Sequence, residues 1–342
     1  MSSRIKLTGI PAMPAALALG ATSVALSAGY QRYATRRDMH RFPLSGRLVS
    51  IGDIRLHVHV TGTDQAGPTV LFEAGLSCPL DAWAWIQPAV SLTAPAISYD
   101  RAGLGGSDPR RGPRTAGEMM DDLDALLAAI GAEGPYVLVG HSFGGLLVRT
   151  FAARHPAQVA GVVLVDASHP DQIRRSRRQR RGLPTLRSQM QQAATMAWLG
   201  FNRITKVNVV TGISGLPPAD RARACARMLT PKACRTGVDE LTGWLSHVND
   251  EVRGCQLPPD CPLVVLTAGA MTAEDPAHDQ FQAELAGLSA NSIRQVVPDA
   301  DHLGIVMDQA YAHHVTDAIV RVVASVQSGS PLAADTSSPD QR

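Results

Sequence analysis

The most informative stretch of the chain is Tyr136-Val137-Leu138-Val139-Gly140-His141-Ser142-Phe143-Gly144-Gly145. An apolar run of strand type enters Gly-x-Ser-x-Gly, and a helix-compatible segment, Leu146-Leu147-Val148, leaves it. That context is what a nucleophile elbow needs. The serine sits on a tight strand-to-helix turn with its hydroxyl pushed out above a sheet. Gly140 and Gly144 supply the small residues that let strand and helix approach. Phe143 follows the serine, so its backbone N–H points at any oxyanion formed beside Ser142. The helix that begins there adds a favourable field for negative charge.

Working outward, strands alternate with helices. Arg47 to Ile51 and Ile54 to Val60 form a hairpin across Gly52-Asp53. Thr69 to Glu73 is a strand that runs into Ala74-Gly75-Leu76-Ser77, and the loop there makes Leu76 the second candidate N–H donor. Trp83 and Trp85 read as core-packing residues. Pro95 to Tyr99 leads into the loop Asp100-Arg101-Ala102-Gly103-Leu104-Gly105, whose glycine spacing does not fit a dinucleotide site. It reads as a tight turn under the site floor.

Thr115 to Ile130 carries apolar residues at helical spacing, and Gly161 to Val165 is a strand that ends in Asp166. From 170 to about 257 no strand pattern recurs, and the segment reads as a helical cap over the carboxyl ends of the strands. Pro262 to Thr267 and Ser292 to Val297 restore the strands, with a helix at Ala277 to Leu288 between them. Asp308 to Val326 closes the domain as a helix. This rhythm predicts an α/β chain with a mostly parallel sheet covered on both faces.

Composition excludes some classes. A net charge of +2 over 342 residues and 4% aromatics give no electrostatic or stacking case for nucleic acid. The six arginines from Arg174 to Arg181 read as a solvated helix face or as a contact for an anionic membrane surface. His57 and His59 share a strand face, a weak pattern for metal. No cofactor or metal is expected.

The N-terminus is a separate object. Leu7 to Tyr30 holds no charge and is flanked by Arg4 and Lys6 before it and Arg32, Arg36 and Arg37 after it. A span needs about 20 residues. The stretch therefore predicts a membrane anchor, or a signal peptide cut near Ala25, Ser27 and Ala28, over residues 1–35. The expected location is membrane-anchored or exported to the cell envelope. Four of the five cysteines, Cys225, Cys234, Cys255 and Cys261, cluster in the cap, where an exported protein could pair them. The arginine excess after the apolar stretch favours the opposite, cytoplasmic side for an anchored domain. Residues 36–46 read as a linker, 47–327 as the catalytic domain and 328–342 as a disordered tail.

A serine needs a base, and the base needs an orienting group. His302, in Asp301-His302 after the last strand, is the base in the order Ser, Asp, His. His141 reads as pointing away, and His169, His313 and His314 as packing or surface residues. For the acid, Asp166 emerges directly from its strand and is favoured over Asp275, with Glu274 behind both.

The elbow Gly140 to Gly144, the Asp100 to Gly105 loop and Asp301-His302 together resemble the α/β-hydrolase family over about residues 47 to 327. The resemblance implies an eight-stranded, mostly parallel sheet with helices on both faces and a helical cap before the histidine. One departure stands out. Many members have His-Gly after the third strand, and this chain has Ala74-Gly75. The donated N–H is backbone and survives the change, without the histidine's support. The implied chemistry is hydrolysis of a carboxylic ester through an acyl-enzyme on Ser142, with a small-molecule acyl substrate. The same residues also serve amide or C–C hydrolysis, cofactor-free perhydrolysis and lyase chemistry. A ligand-binding relative that has lost turnover is the alternative of a different class.

Overall fold

A computed structural model describes residues 12–205 and 211–332. In chain order the helices of eleven or more residues and the strands are α1 (Ala12–Arg41), β1 (Arg47–Ile51), β2 (Ile54–Thr61), β3 (Thr69–Glu73), β4 (Ala96–Tyr99), α2 (Ala116–Ile130), β5 (Tyr136–His141), α3 (Phe143–Arg154) and β6 (Val159–Val165). They continue as α4 (Arg177–Trp198), α5 (Pro218–Met228), α6 (Pro231–Gly243), β7 (Leu263–Ala268), α7 (Pro276–Ala286), β8 (Ser292–Val297) and α8 (Gln309–Ser328).

The eight strands form one sheet in the order β1-β2-β4-β3-β5-β6-β7-β8. β2 pairs antiparallel with β1 and with β4, and every pairing from β4 through β8 is parallel. Both faces are apolar, as a sheet covered on both sides requires. Side chains alternate across it: Tyr136 and Leu138 of β5 join the core beneath α2 and α3, while Val137 and Val139 join the core on the other face with Val322 of α8. The fold is the α/β-hydrolase arrangement that the sequence implied.

Local chemistry fixes the ends of these elements. Thr115 caps α2 in a reciprocal capping box with Glu118, and Gly131 ends the helix in the left-handed region at φ 67°. Between β6 and β7 the described residues form helices and no strand. Within this cap α4 packs along α6.

The N-terminal expectation is corrected. Among the described residues no helix is long and apolar enough to cross a membrane, which overturns the anchor and the membrane or cell-envelope location inferred from it. The uncharged stretch is built largely of Ala, Gly, Ser and Thr, and lack of charge is not the same as hydrocarbon-like surface. Residues 1–11 lie outside the described part. The second half of α1 docks on the cap instead. Ala34 is buried, Arg203 donates to Gln31 Oε1 at 3.0 Å and to Thr35 Oγ1 at 3.2 Å, and it pairs with Asp38.

The linker expected at 36–46 is therefore helical as far as Arg41, because Asp38 has a cap partner to hold it. At the other end α8 runs to Ser328, and residues 333–342 of the expected tail lie outside the described part. All five cysteines are free thiols, so the two cap bridges do not form.

Candidate active site

Ser142 leaves β5 at φ 54° and ψ −122°, a strained conformation for any residue with a side chain. The glycines make it feasible. A Cβ at Gly144 would lie 2.2 Å from the Glu73 carbonyl oxygen, and one at Gly140 would lie 2.8 Å from the Gly144 carbonyl oxygen. The Ser142 carbonyl is held by the N–H groups of Gly145 and Ser168, both at 2.9 Å.

His302 follows β8. Its Nε2 lies 2.8 Å from Ser142 Oγ, and its Nδ1 lies 2.5 Å from Asp166 Oδ2. With the proton on Nδ1, His302 donates to Asp166 and accepts from the Ser142 hydroxyl. Burial pulls the His302 pKa down, but the hydrogen bond and charge of Asp166 outweigh it and hold the pKa above the ordinary value.

Asp166 follows β6 at φ 43° and is almost fully buried. Its Oδ1 accepts from the Ala268 N–H at 2.9 Å and from His278 Nε2 at 2.7 Å. Burial alone would push this carboxyl up, yet the hydrogen bonds from His278 and His302 hold it well below the usual carboxylate range. The other two candidate acids sit elsewhere. Asp275 accepts from Ser176 Oγ at 2.6 Å and caps α7 through the Ala277 N–H, and Glu274 is an exposed partner of Arg178.

His141 does not point away. Its ring centroid lies 5.0 Å from that of His302, and its Nε2–H donates to the His302 carbonyl at 2.8 Å. Burial pushes its pKa down to about 3, so the ring is neutral near pH 7.

The loop after β3 runs directly beside the serine: a Cβ at Gly75 would lie 3.4 Å from Ser142 Cβ. In place of the histidine support, Arg101 spends all five N–H donors on the loop and its neighbours. Nη1 donates to Glu73 Oε1 at 2.6 Å and Ala74 O at 2.7 Å, and Nη2 donates to Gly75 O at 2.8 Å and Glu240 Oε2 at 3.0 Å. Its Nε–H donates to Glu240 Oε1 at 2.6 Å. The guanidinium also lies 5.5 Å from the ring centroid of Phe143. Burial raises the Glu73 pKa, and the Tyr99 hydroxyl donates to its second oxygen.

A cavity of about 310 Å³ opens above Ser142, walled by Leu76, Leu186, Met190, Trp244, Met271 and Leu303, with Arg178 and Gln179 also lining it. Leu186 and Met190 come from the cap, so the insertion does cover the strand ends. The arginine cluster is partly paired: Arg175 with Glu284, Arg178 with Glu274 and Arg174 with Asp171. His57 bonds Asp100 at 2.6 Å and forms no pair with His59. Among the described residues no group of three or more His, Cys, Asp or Glu could hold a metal.

Sequence reasoning missed His278, Arg101 as a clamp, and Glu240. His278 sits three residues past Asp275 in a helix that looks like a plain surface element. Only the Asp-Arg-Ala-Gly loop gave a local hint of Arg101.

Comparison with known proteins agrees with this architecture. Residues 68–306 match the α/β-hydrolase fold family. Over 127 residues the chain is 40% identical to the probable transporter efuK of Hormonema carpetanum, covering 35% of this chain and 18% of that one. Over 80 residues it is 43% identical to lipase LipV of Mycobacterium tuberculosis, covering 23% and 28%. The chain spans less than a third of the length of these curated relatives. A thermophilic esterase from Thermogutta terrifontis superposes with a TM-score of 0.59 at 22% identity, over 82% of this chain and 98% of that one, a likeness of fold alone.

Proposed function

This chain belongs to the α/β-hydrolase family, and on that premise we propose that it is a serine hydrolase cleaving a carboxylic ester through an acyl-enzyme on Ser142. The observation that carries the reading is the unbroken hydrogen-bond line from Ser142 through His302 to Asp166, at 2.8 Å and 2.5 Å. Its catalytic domain is taken as residues 47–327, with the cap at about 170–257.

In this reading Ser142 Oγ attacks the ester carbonyl while His302 Nε2 takes its proton. The backbone N–H groups of Leu76 and Phe143 hold the oxyanion. His302 then protonates the leaving alcohol, and water, deprotonated by the same nitrogen, releases the acid. Asp166 keeps the imidazole in the required tautomer and stabilises the imidazolium. The apolar walls of the cavity suit a small acyl substrate.

Family members with an aspartate nucleophile need a carboxylate where this chain has Ser142, so dehalogenation and epoxide opening by that route are not supported. A ligand-binding protein without turnover has no reason to keep the strained serine aligned on a histidine and a buried aspartate. In the test, wild-type protein hydrolyses short p-nitrophenyl esters and is labelled by a fluorophosphonate, and Ser142→Ala loses both. Labelling that persists in Ser142→Ala would sink the assignment.

A further inference from the structure

The loop that offers the Leu76 N–H is gripped from two sides. From the catalytic domain, Arg101 holds the carbonyls of Ala74 and Gly75. From the cap, Glu240 of α6 accepts the Ser77 N–H at 2.8 Å on the same oxygen that takes Arg101 Nη2–H. Ser77 sits at φ 60°, a conformation a serine keeps only when its surroundings impose it. Helix α6 lies close against it, since a Cβ at Gly237 would come 2.3 Å from Ser77 Oγ. Glu240 is 6% exposed, so neither its charge nor its hydrogen bonds can be replaced by bulk water while the cap is in place.

Resting on the serine-hydrolase reading, we propose that Glu240 is a positioning residue that ties the cap to the oxyanion loop, so that the Leu76 N–H reaches its working place only when the cap is seated. If α6 lifts, Ser77 N–H and two donors of Arg101 lose their acceptor together. Arg101 is then a buried cation with one carboxylate partner, and the loop is free to relax its strained residue. Cap closure and assembly of the oxyanion site are one event.

The test uses full-length wild-type, Glu240→Gln and Glu240→Ala proteins with a p-nitrophenyl ester and a boronic acid, which mimics the tetrahedral intermediate. Glu240→Gln keeps the volume and an acceptor for Ser77 but loses the charge. The expected result is a fall in kcat of about tenfold for Gln. For Ala it approaches the 10²–10³ that loss of one oxyanion donor costs, in about the same proportion as boronate affinity falls. KM changes by less than about threefold, as for an interaction felt mainly in the transition state. Folding is followed by circular dichroism and thermal melting. A folded Gln variant with wild-type kcat overturns the proposal, as does a kcat loss with boronate affinity unchanged. A Gln variant that loses its fold along with its activity also overturns it, in favour of a purely structural role. Wild-type protein that neither cleaves the ester nor reacts with a fluorophosphonate overturns the underlying reading, and this inference with it.

Discussion

His278 Nε2 lies 2.7 Å from Asp166 Oδ1, so the carboxylate that orients His302 is bonded by an imidazole on each oxygen. The second histidine stands on α7, which neither Ser142 nor His302 belongs to. It fixes the plane of the carboxylate and, as a donor, takes part of its charge. Replacing it with Leu removes a charge-assisted hydrogen bond worth about 1.5–3 kcal/mol. The expected outcome for His278→Leu is a kcat about tenfold lower. The acid limb of the rate profile moves to higher pH, because an unrelieved Asp166 binds the imidazolium more strongly. His278→Gln, which can still donate, should recover most of the rate. Steady-state kinetics across pH on the three proteins measure it.

Only one of the three candidate acids touches His302. Asp166→Asn leaves the shape but removes the charge that selects the tautomer, a change that costs about 10⁴ in kcat in a comparable triad. Asp275→Ala removes the cap of α7 and the partner of Ser176, so it should lower stability by about 1 kcal/mol with kcat within about threefold of wild type. Turnover and urea unfolding on the two variants separate the roles.

In the proposed mechanism His302 must be neutral to act. Because Asp166 holds the His302 pKa above the ordinary 6.5, kcat/KM should fall as pH drops through a value above 6.5, with a slope of one on the logarithmic plot. In Asp166→Asn the residual activity should show that limb displaced to lower pH.

His141 carries the opposite shift. Its pKa of about 3 in the folded protein lies below the roughly 6.5 of an unfolded chain, so between those values the unfolded state binds the extra proton. The stability this neutral ring supports is complete above about pH 6.5 and is lost as pH falls through that window, by up to about 1.4 kcal/mol per unit. His141→Gln, which keeps a donor for the His302 carbonyl, should show a flatter dependence between pH 4.5 and 7.5 in urea unfolding.

Much of the sheet was legible because its signals are local. Apolar β5 followed by Gly-x-Ser-x-Gly, and the helical spacing of apolar residues from Thr115 to Ile130, encode their structure within a few positions. The placing of Asp166 after β6 was also local, as a carboxylate at the end of an apolar run. What escaped was long-range. Glu240 and Arg101 are 139 residues apart, and His278 and Asp166 are 112 apart, with no periodic pattern between them. The N-terminal stretch misled for a different reason. Absence of charge is not by itself fitness for lipid, and the partners that occupy α1, Arg203 above all, sit in the distant cap.

The docking of α1 bears on where the chain can be trimmed for expression. A fragment beginning at residue 47 retains every strand and the elbow, yet it strips Gln31, Thr35 and Asp38 from Arg203. The side chain of that arginine is 7% exposed because α1 lies over it, so trimming opens it to water together with the cap surface that α1 contacts. The smallest durable fragment begins upstream of Gln31, and a fragment from residue 47 should melt at a lower temperature than one that keeps α1.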